Sequence, residues 1–200
     1  MTIMNGFHRW LCRSAGWQTT LERTLLPWAL EDIDLGDDLL EVGPGPGLTT
    51  DILRKRVARL TAIEIDRRLT EALKLRLAGT NVRVIDDDAT ETPLSEQMFS
   101  AAVALTMLHH IPSQALQDKL LVNVHSALRP GGVFAGTDNT VSLRFRLIHI
   151  GDTMVPVDPD TFGGRLEKAG FTNIRVDTAR QRFRFRARRA GGPKSENLLG

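Results

Sequence analysis

Leu39-Leu40-Glu41-Val42-Gly43-Pro44-Gly45-Pro46-Gly47-Leu48 decides the fold of this chain. A short apolar run ends abruptly in three glycines and two prolines, and a helical pattern follows. An apolar run bounded in this way reads as a buried parallel strand, here Leu39 to Val42. Gly43, Gly45 and Gly47 lack a Cβ, so the backbone can approach a bound group closely, while the prolines stiffen the turn. A glycine turn between strand and helix is the place where open α/β sheets bind ligands. The spacing is Gly-x-Gly-x-Gly, and Leu48 stands where a dinucleotide-binding turn has its last glycine. Glu41 would sit badly beside a pyrophosphate and well beside a cation or an amine. The turn is therefore read as a site for a positively charged ligand.

Outward from this turn, strands and helices alternate. Upstream, Thr19 to Leu30 reads as a helix, with Pro27 predicting a kink or an early end. Downstream come a helix at Leu48 to Val57, a strand at Leu60 to Ile65 and an amphipathic helix at Arg67 to Leu77. A strand at Val82 to Ile85 and a doubly apolar one at Phe99 to Leu105 follow. Ser113 caps a long helix to Leu128, and Pro130-Gly131-Gly132 turns the chain into a strand at Val133 to Thr137. Such alternation predicts a doubly wound α/β sheet. Beyond it lie an extra helix at Ser142 to Ile150 and a helix at Asp160 to Ala169, stopped by Gly170. Closely spaced strands at Ile174 to Thr178 and Arg182 to Ala187 imply an antiparallel hairpin. Gly191 to Gly200 reads as a disordered tail.

The 200 residues carry a net charge of +2, with 42% hydrophobic and 25% charged residues. That length suits one domain with a real core. We expect residues 1–190 to form it, with 1–36 as a helical cover and 140–158 as an insertion. Cys12 is the only cysteine, which excludes an internal disulfide and a cysteine-based zinc cluster; no metal site is expected. No run of about 18 apolar residues exists, so no membrane span is expected. Met1 to Trp17 does not read as a secretory signal, and the cytoplasm is the expected location. Nothing in the composition opposes a homodimer.

The segment Glu41 to Gly47 resembles the glycine-rich motif of class I S-adenosylmethionine-dependent methyltransferases, acidic-x-Gly-x-Gly-x-Gly at the end of the first strand. The resemblance covers roughly Leu39 to Phe171. It implies a Rossmann-like, doubly wound, seven-stranded sheet, mostly parallel with an antiparallel last strand, and S-adenosylmethionine as cofactor. Gly43, Gly45 and Gly47 would line the amino-acid part of that cofactor, with Glu41 nearby. Glu64, at the end of the second strand, looks like the ribose ligand, and Asp66 the cap of the next helix. Asp88 and Ala89 match the pair that contacts the adenine, and Leu105 ends the fourth strand beside the cofactor. Asp86 and Asp87 read as solvated loop acids. Ser100 stands where the family often has an acid.

The segment Leu108-His109-His110 is similar to one in many small-molecule methyltransferases. For a hydroxyl acceptor, His109 or His110 could serve as general base, and His110 is the candidate. As a structural reading, one histidine packs and the other caps the turn. Ala62 to Leu69 also resembles ribosomal RNA adenine dimethyltransferases. Those carry Asn-(Leu/Ile)-Pro-(Tyr/Phe) after the fourth strand, where this chain has Ala104-Leu105-Thr106-Met107. A small-molecule acceptor is therefore expected, and nucleic acid is not. Arg182, Arg184 and Arg186 alternate with Phe183, Phe185 and Ala187, as in a half-buried strand near a sheet edge; an anion-binding stripe is the other reading of these arginines. Phe7, Trp10, Trp17 and Trp28 precede the first strand, and such leading helices often cover the pocket in this family. Met154, Phe145 and Ile148 would form an opposite wall. An RNA methyltransferase, a nicotinamide-dependent oxidoreductase and a non-catalytic cofactor-binding protein remain open alternatives.

Overall fold

The structure is a computed structural model that describes residues 14–141, 147 and 153–191. Phe7, Trp10, Cys12, the helix expected at 142–150 with Phe145 and Ile148, and nearly all of the expected tail lie outside the described residues. Helix α1 (Ala15–Thr20), a π-helical turn (Leu21–Leu25) and α2 (Leu26–Ala29) precede β1 (Asp38–Val42), α3 (Leu48–Leu53) and β2 (Arg59–Glu64). There follow α4 (Arg67–Arg76), β3 (Val82–Asp86), β4 (Phe99–Leu105), a 3-10 turn (Leu108–His110) and α5 (Gln114–Ala127). The chain continues through β5 (Leu128–Asn139), α6 (Pro159–Lys168), β6 (Phe171–Ala179) and β7 (Arg182–Arg189).

The seven strands form one sheet in the order β3-β2-β1-β4-β5-β7-β6. Strands β1 to β5 pair in parallel, while β7 pairs antiparallel with both β5 and β6. The chain winds outward from β1 in one direction, then restarts at β4 on its other side. The carboxyl ends of β1 and β4 therefore flank a topological switch point, the usual ligand crevice of such sheets.

Each sheet face buries its own core. On one, Phe134, Phe162, Phe171, Phe183 and Phe185 pack with α5 and α6, Phe134 and Phe185 edge to face at 4.9 Å. On the other, Leu26, Ala29 and Leu53 cover Leu39, Leu60, Ala101 and Val103. The alternation read in β7 is borne out, because Phe183, Phe185 and Ala187 are buried and the intervening arginines are not. The caps expected from Ser113 and Asp66 form, to Leu116 N and to Arg68 N and Leu69 N respectively. Ser100 accepts from the backbone N–H of Asp38 at 2.9 Å and donates to the carbonyl of Leu35 or Asp38. It thus ties the entrance of β1 to β4.

Three boundaries differ from the expectation. Pro27 does not end the helix at once, since α2 runs on to Ala29. The preceding turn widens, so that Leu26 N bonds to Leu21 O, five residues back, and this absorbs the proline ring. The helix expected to reach Val57 stops at Leu53. Pro130-Gly131-Gly132 is not a turn before the strand but a bulge within β5, between the pairs Phe99–Leu128 and Ala101–Val133.

Gly136 sits where β4, β5 and β7 crowd together. A Cβ there would overlap the carbonyl oxygen of Ala104 and come 2.8 Å from Cζ of Phe185. Gly136→Ala should lower stability by about 1–3 kcal/mol through overpacking, measured by urea unfolding, whereas the same change at open Gly79 should not exceed the cost of its positive φ.

Candidate functional site

The glycine turn is built from three left-handed backbones, with φ of 65°, 57° and 84° at Gly43, Gly45 and Gly47. Their surroundings differ. A Cβ on Gly43 would come within 3.0–3.2 Å of the Met107 side chain, and one on Gly47 would overlap Leu73 and Arg76. One on Gly45 would meet nothing within 4 Å. Gly43 and Gly47 thus let the turn pack on protein, and Gly45 leaves open space above it. Arg76 clamps the turn from outside, bonding Pro46 O at 3.1 Å and pairing with Asp51.

Two buried carboxylates lie below the turn. Glu41, 1% exposed, accepts from the hydroxyls of Thr49 and, at 2.6 Å, Thr50. Both of its oxygens therefore face the first turn of α3. Burial pushes its carboxyl up to about 7, against the opposite pull of the two hydroxyls. Glu64 accepts from Gly45 N at 3.0 Å and from Asp66 N at 2.9 Å, joining the glycine turn to the loop after β2. Burial raises its pKa too, and the N–H groups of Asp66 and Gly45 oppose that rise.

Next to β2, the loop after β3 is held by its own acids. Asp88 accepts from Thr90 N at 2.8 Å, and Ala89 is buried, with its carbonyl bonded to Asn123 Nδ2 at 2.9 Å. Asp87 is no merely solvated acid: it accepts from Asp88 N and from the hydroxyl of Thr92, which hold its carboxyl below the usual range. Asp86 is exposed.

Leu105 ends β4 and is buried. Thr106 follows at φ 55° and donates its N–H to Thr137 O at 2.7 Å, an uncommon conformation outside glycine. The histidine turn is held from several sides. Asp138, at the end of β5 and fully buried, accepts from His109 N at 3.0 Å, His109 Nδ1 at 2.5 Å and Asn139 N at 2.7 Å. Gln117 of α5 donates to Leu108 O and Val155 O and is itself held by the buried Arg165. His110 is half-buried, lies 4.2 Å from the His109 ring and bonds Thr153 O through Nδ1 at 3.3 Å. His109 is buried and is oriented by Asp138. Half-buried Met154 follows Thr153.

Asp138 and Gln117 escaped the sequence reading. An acid directly after an apolar strand run was the signal that found Glu64, and Asp138 carries that signal also. No group of three or more potential metal ligands occurs among the described residues.

A mostly parallel sheet of this strand order, with a glycine turn and an acid at the ends of its first two strands, has the Rossmann-like architecture seen in class I methyltransferases. Residues 39–132 match the family model described as a methyltransferase domain. The chain is 42% identical over 60 residues to a probable ribosomal RNA small subunit methyltransferase A of Pyrococcus abyssi, covering 30% of this chain and 22% of that protein. It is 29% identical over 151 residues to a ubiquinone biosynthesis O-methyltransferase of Azotobacter vinelandii, covering 72% and 64%. The chain thus spans about a fifth of the one relative and under two thirds of the other. The N-methyltransferase NodS of Bradyrhizobium japonicum, solved with S-adenosyl-L-homocysteine, superposes with a TM-score of 0.69 at 18% identity, covering 90% of this chain and 91% of that one.

The raised pKa of Glu41 sets a pH dependence. The folded state binds more protons than the unfolded chain between 4.5 and about 7, so stability falls as pH rises through that window. Glu41→Gln keeps hydrogen-bonding capacity and cannot ionise. Relative to that variant, the native protein should lose up to about 3 kcal/mol between pH 4.5 and about pH 8, read from urea unfolding at both; a constant difference overturns the assignment.

Proposed function

We propose that this protein transfers a methyl group from S-adenosylmethionine to an O, N or C nucleophile of a small-molecule acceptor. The observation that carries the reading is the pairing of open space above Gly45 with the buried carboxylate of Glu64 beneath it. Gly43, Gly45 and Gly47 would hold the amino-acid part, with Glu41 fixing the turn from below. A carboxylate has acceptor capacity for a ribose diol, which suits Glu64. Asp88 and Ala89 would meet the adenine, and Leu105 would border the site from β4.

When bound, the cofactor supplies an electrophilic methyl group on a sulfonium. The protein's contribution is then mainly alignment. For a hydroxyl acceptor, His110 takes the proton. Its Nδ1 faces a carbonyl oxygen and must carry hydrogen, which puts the basic lone pair on Nε2.

Three observations favour a small acceptor over RNA. The similarity to the O-methyltransferase extends over 72% of the chain, whereas similarity to ribosomal RNA and dimethyladenosine methyltransferases covers 30–57% of it. Ala104 to Met107 offers no amide side chain, proline or aromatic ring to hold a flipped base. Arg184, Arg188 and Arg189 are bonded within the protein. We further read residues 1–190 as one catalytic domain, with 1–36 as cover and 140–158 as insertion, acting in the cytoplasm. No helix among the described residues is long and apolar enough to cross a membrane. A homodimer is compatible with this reading.

Calorimetry with S-adenosylhomocysteine and NAD side by side tests the cofactor. The first should bind and the second should not; binding of NAD alone overturns the proposal. Glu64→Ala removes an acceptor worth more than about 1.5 kcal/mol and should weaken S-adenosylhomocysteine at least tenfold, while unchanged affinity would take Glu64 out of the site. Salt-sensitive binding of a ribosomal RNA fragment would favour the RNA reading instead.

A further inference from the structure

Arg182 and Arg184 are successive residues on the solvent-side face of β7, and both lie over indole rings. The guanidinium carbon of Arg182 is 5.5 Å from the centroid of Trp17, and that of Arg184 is 5.4 Å from Trp28. Beyond this the two differ. Arg184 donates to Glu31 and to Trp28 O, both at 2.7 Å, and to Asp177 at 3.1 Å. Arg182 is half-buried, yet among the described residues it has no hydrogen-bond acceptor and no ion-pair partner. Arg165, the most deeply buried arginine among the described residues, is by contrast bonded to Asp118 and Gln117. Cations withdrawn from water are normally paired. Burial indeed weakens the protonated form of Arg182, and the field of Asp138 restores it in part.

The location is informative as well. Strand β7 runs against its neighbours, so its first residue reaches the sheet edge where theirs end. Arg182 pairs across the ladder with Asn139, the last residue of β5. Asn139 directly follows Asp138, which holds the histidine turn. Arg184, opposite Thr137, lies two residues deeper in the sheet. The guanidinium that is unpaired among the described residues therefore stands at the ligand edge, and the paired one does not.

We propose that Arg182 is an anion-binding residue of the acceptor subsite, so that the acceptor is a small acid bearing a carboxylate or a phosphate. Calling the subsite the acceptor's rests on the methyltransferase reading; the anion site itself does not. A guanidinium presents its N–H groups as a planar fork that matches two oxygens of one anion. Trp17 covers one face of that fork and excludes water from it, which strengthens the hydrogen bonds it makes. Docking the leading helix does not by itself account for Arg182, because Arg184 does the same with every charge matched.

The test is calorimetric titration of the full chain, saturated with S-adenosylhomocysteine, with benzoate, phenyl phosphate and the neutral benzamide. One of the two anions should bind about tenfold or more tightly than benzamide, and the better anion distinguishes carboxylate from phosphate. Arg182→Gln should abolish that preference with S-adenosylhomocysteine affinity held within about twofold, while Arg186→Gln should keep it. Arg182→Lys keeps stem and charge without the fork; a reduced preference supports the assignment and an unchanged one overturns it. Equal binding of all three compounds, no binding of either anion, a preference surviving Arg182→Gln, or equal loss in Arg186→Gln also overturns it. The same titrations without S-adenosylhomocysteine keep the anion result separate from any failure of the cofactor reading.

Discussion

One buried carboxylate sets the geometry on which the site depends. Glu64 receives an N–H from the turn after β1 and another from the loop after β2, so two segments that share no ladder pairing are fixed to a common point. Neither would hold its shape alone. The glycine turn has few side chains to pack, and the loop after β2 must place Asp66 to start α4. Two donors on one desolvated carboxylate are worth more than the same bonds in water. The arrangement also has a cost, because burial opposes the charge that the donors favour. Glu41, immediately below, meets the same conflict with two hydroxyls instead of backbone amides.

A second set of contacts does for the other wall what Glu64 does for the first. Asp138 grips both the backbone and the ring of His109, and Gln117 holds the carbonyls of Leu108 and Val155. Arg165 orients Gln117 and ties α6 into the same network. Few polar groups lack a hydrogen bond in this packed interior: among the described residues, Arg54 Nε and the Thr90 hydroxyl are the buried side-chain atoms in that state. Rigidity of this kind suits chemistry that needs alignment more than proton transfer.

The sheet and the glycine turn were largely legible in the sequence, and the reasons are local. A buried parallel strand must be apolar on both faces, so Leu39 to Val42 and Phe99 to Leu105 announce themselves. A turn that needs three positive φ values requires glycine, and Asp66 and Ser113 are short polar residues at helix starts. What was not legible depends on the third dimension. The bulge at Pro130 to Gly132 looks like an ordinary turn until Val133 is seen opposite Ala101. The widened helical turn before Pro27 leaves no mark in the periodicity. Asp138 carries the same strand-end mark as Glu64, but its hold on His109, 29 residues away in sequence, shows only in the fold. The arginines of β7 show their alternation plainly, but which of them is matched by a carboxylate depends on Glu31 and Asp177, far along the chain.

Strand β7 has a consequence for how the chain comes together. It lies between β5 and β6, so β6 has no place in the sheet until the segment after it has arrived. The leading helices depend on the same late segment, because Arg184 reaches Trp28 O across 156 residues of sequence. Contacts of such separation close slowly. During synthesis the leading helices therefore gain this polar tie only once residues 182–189 have emerged from the ribosome, after their apolar side has met β1 and β4. The β6–β7 hairpin thus acts as a keystone between the leading helices and the far side of the sheet.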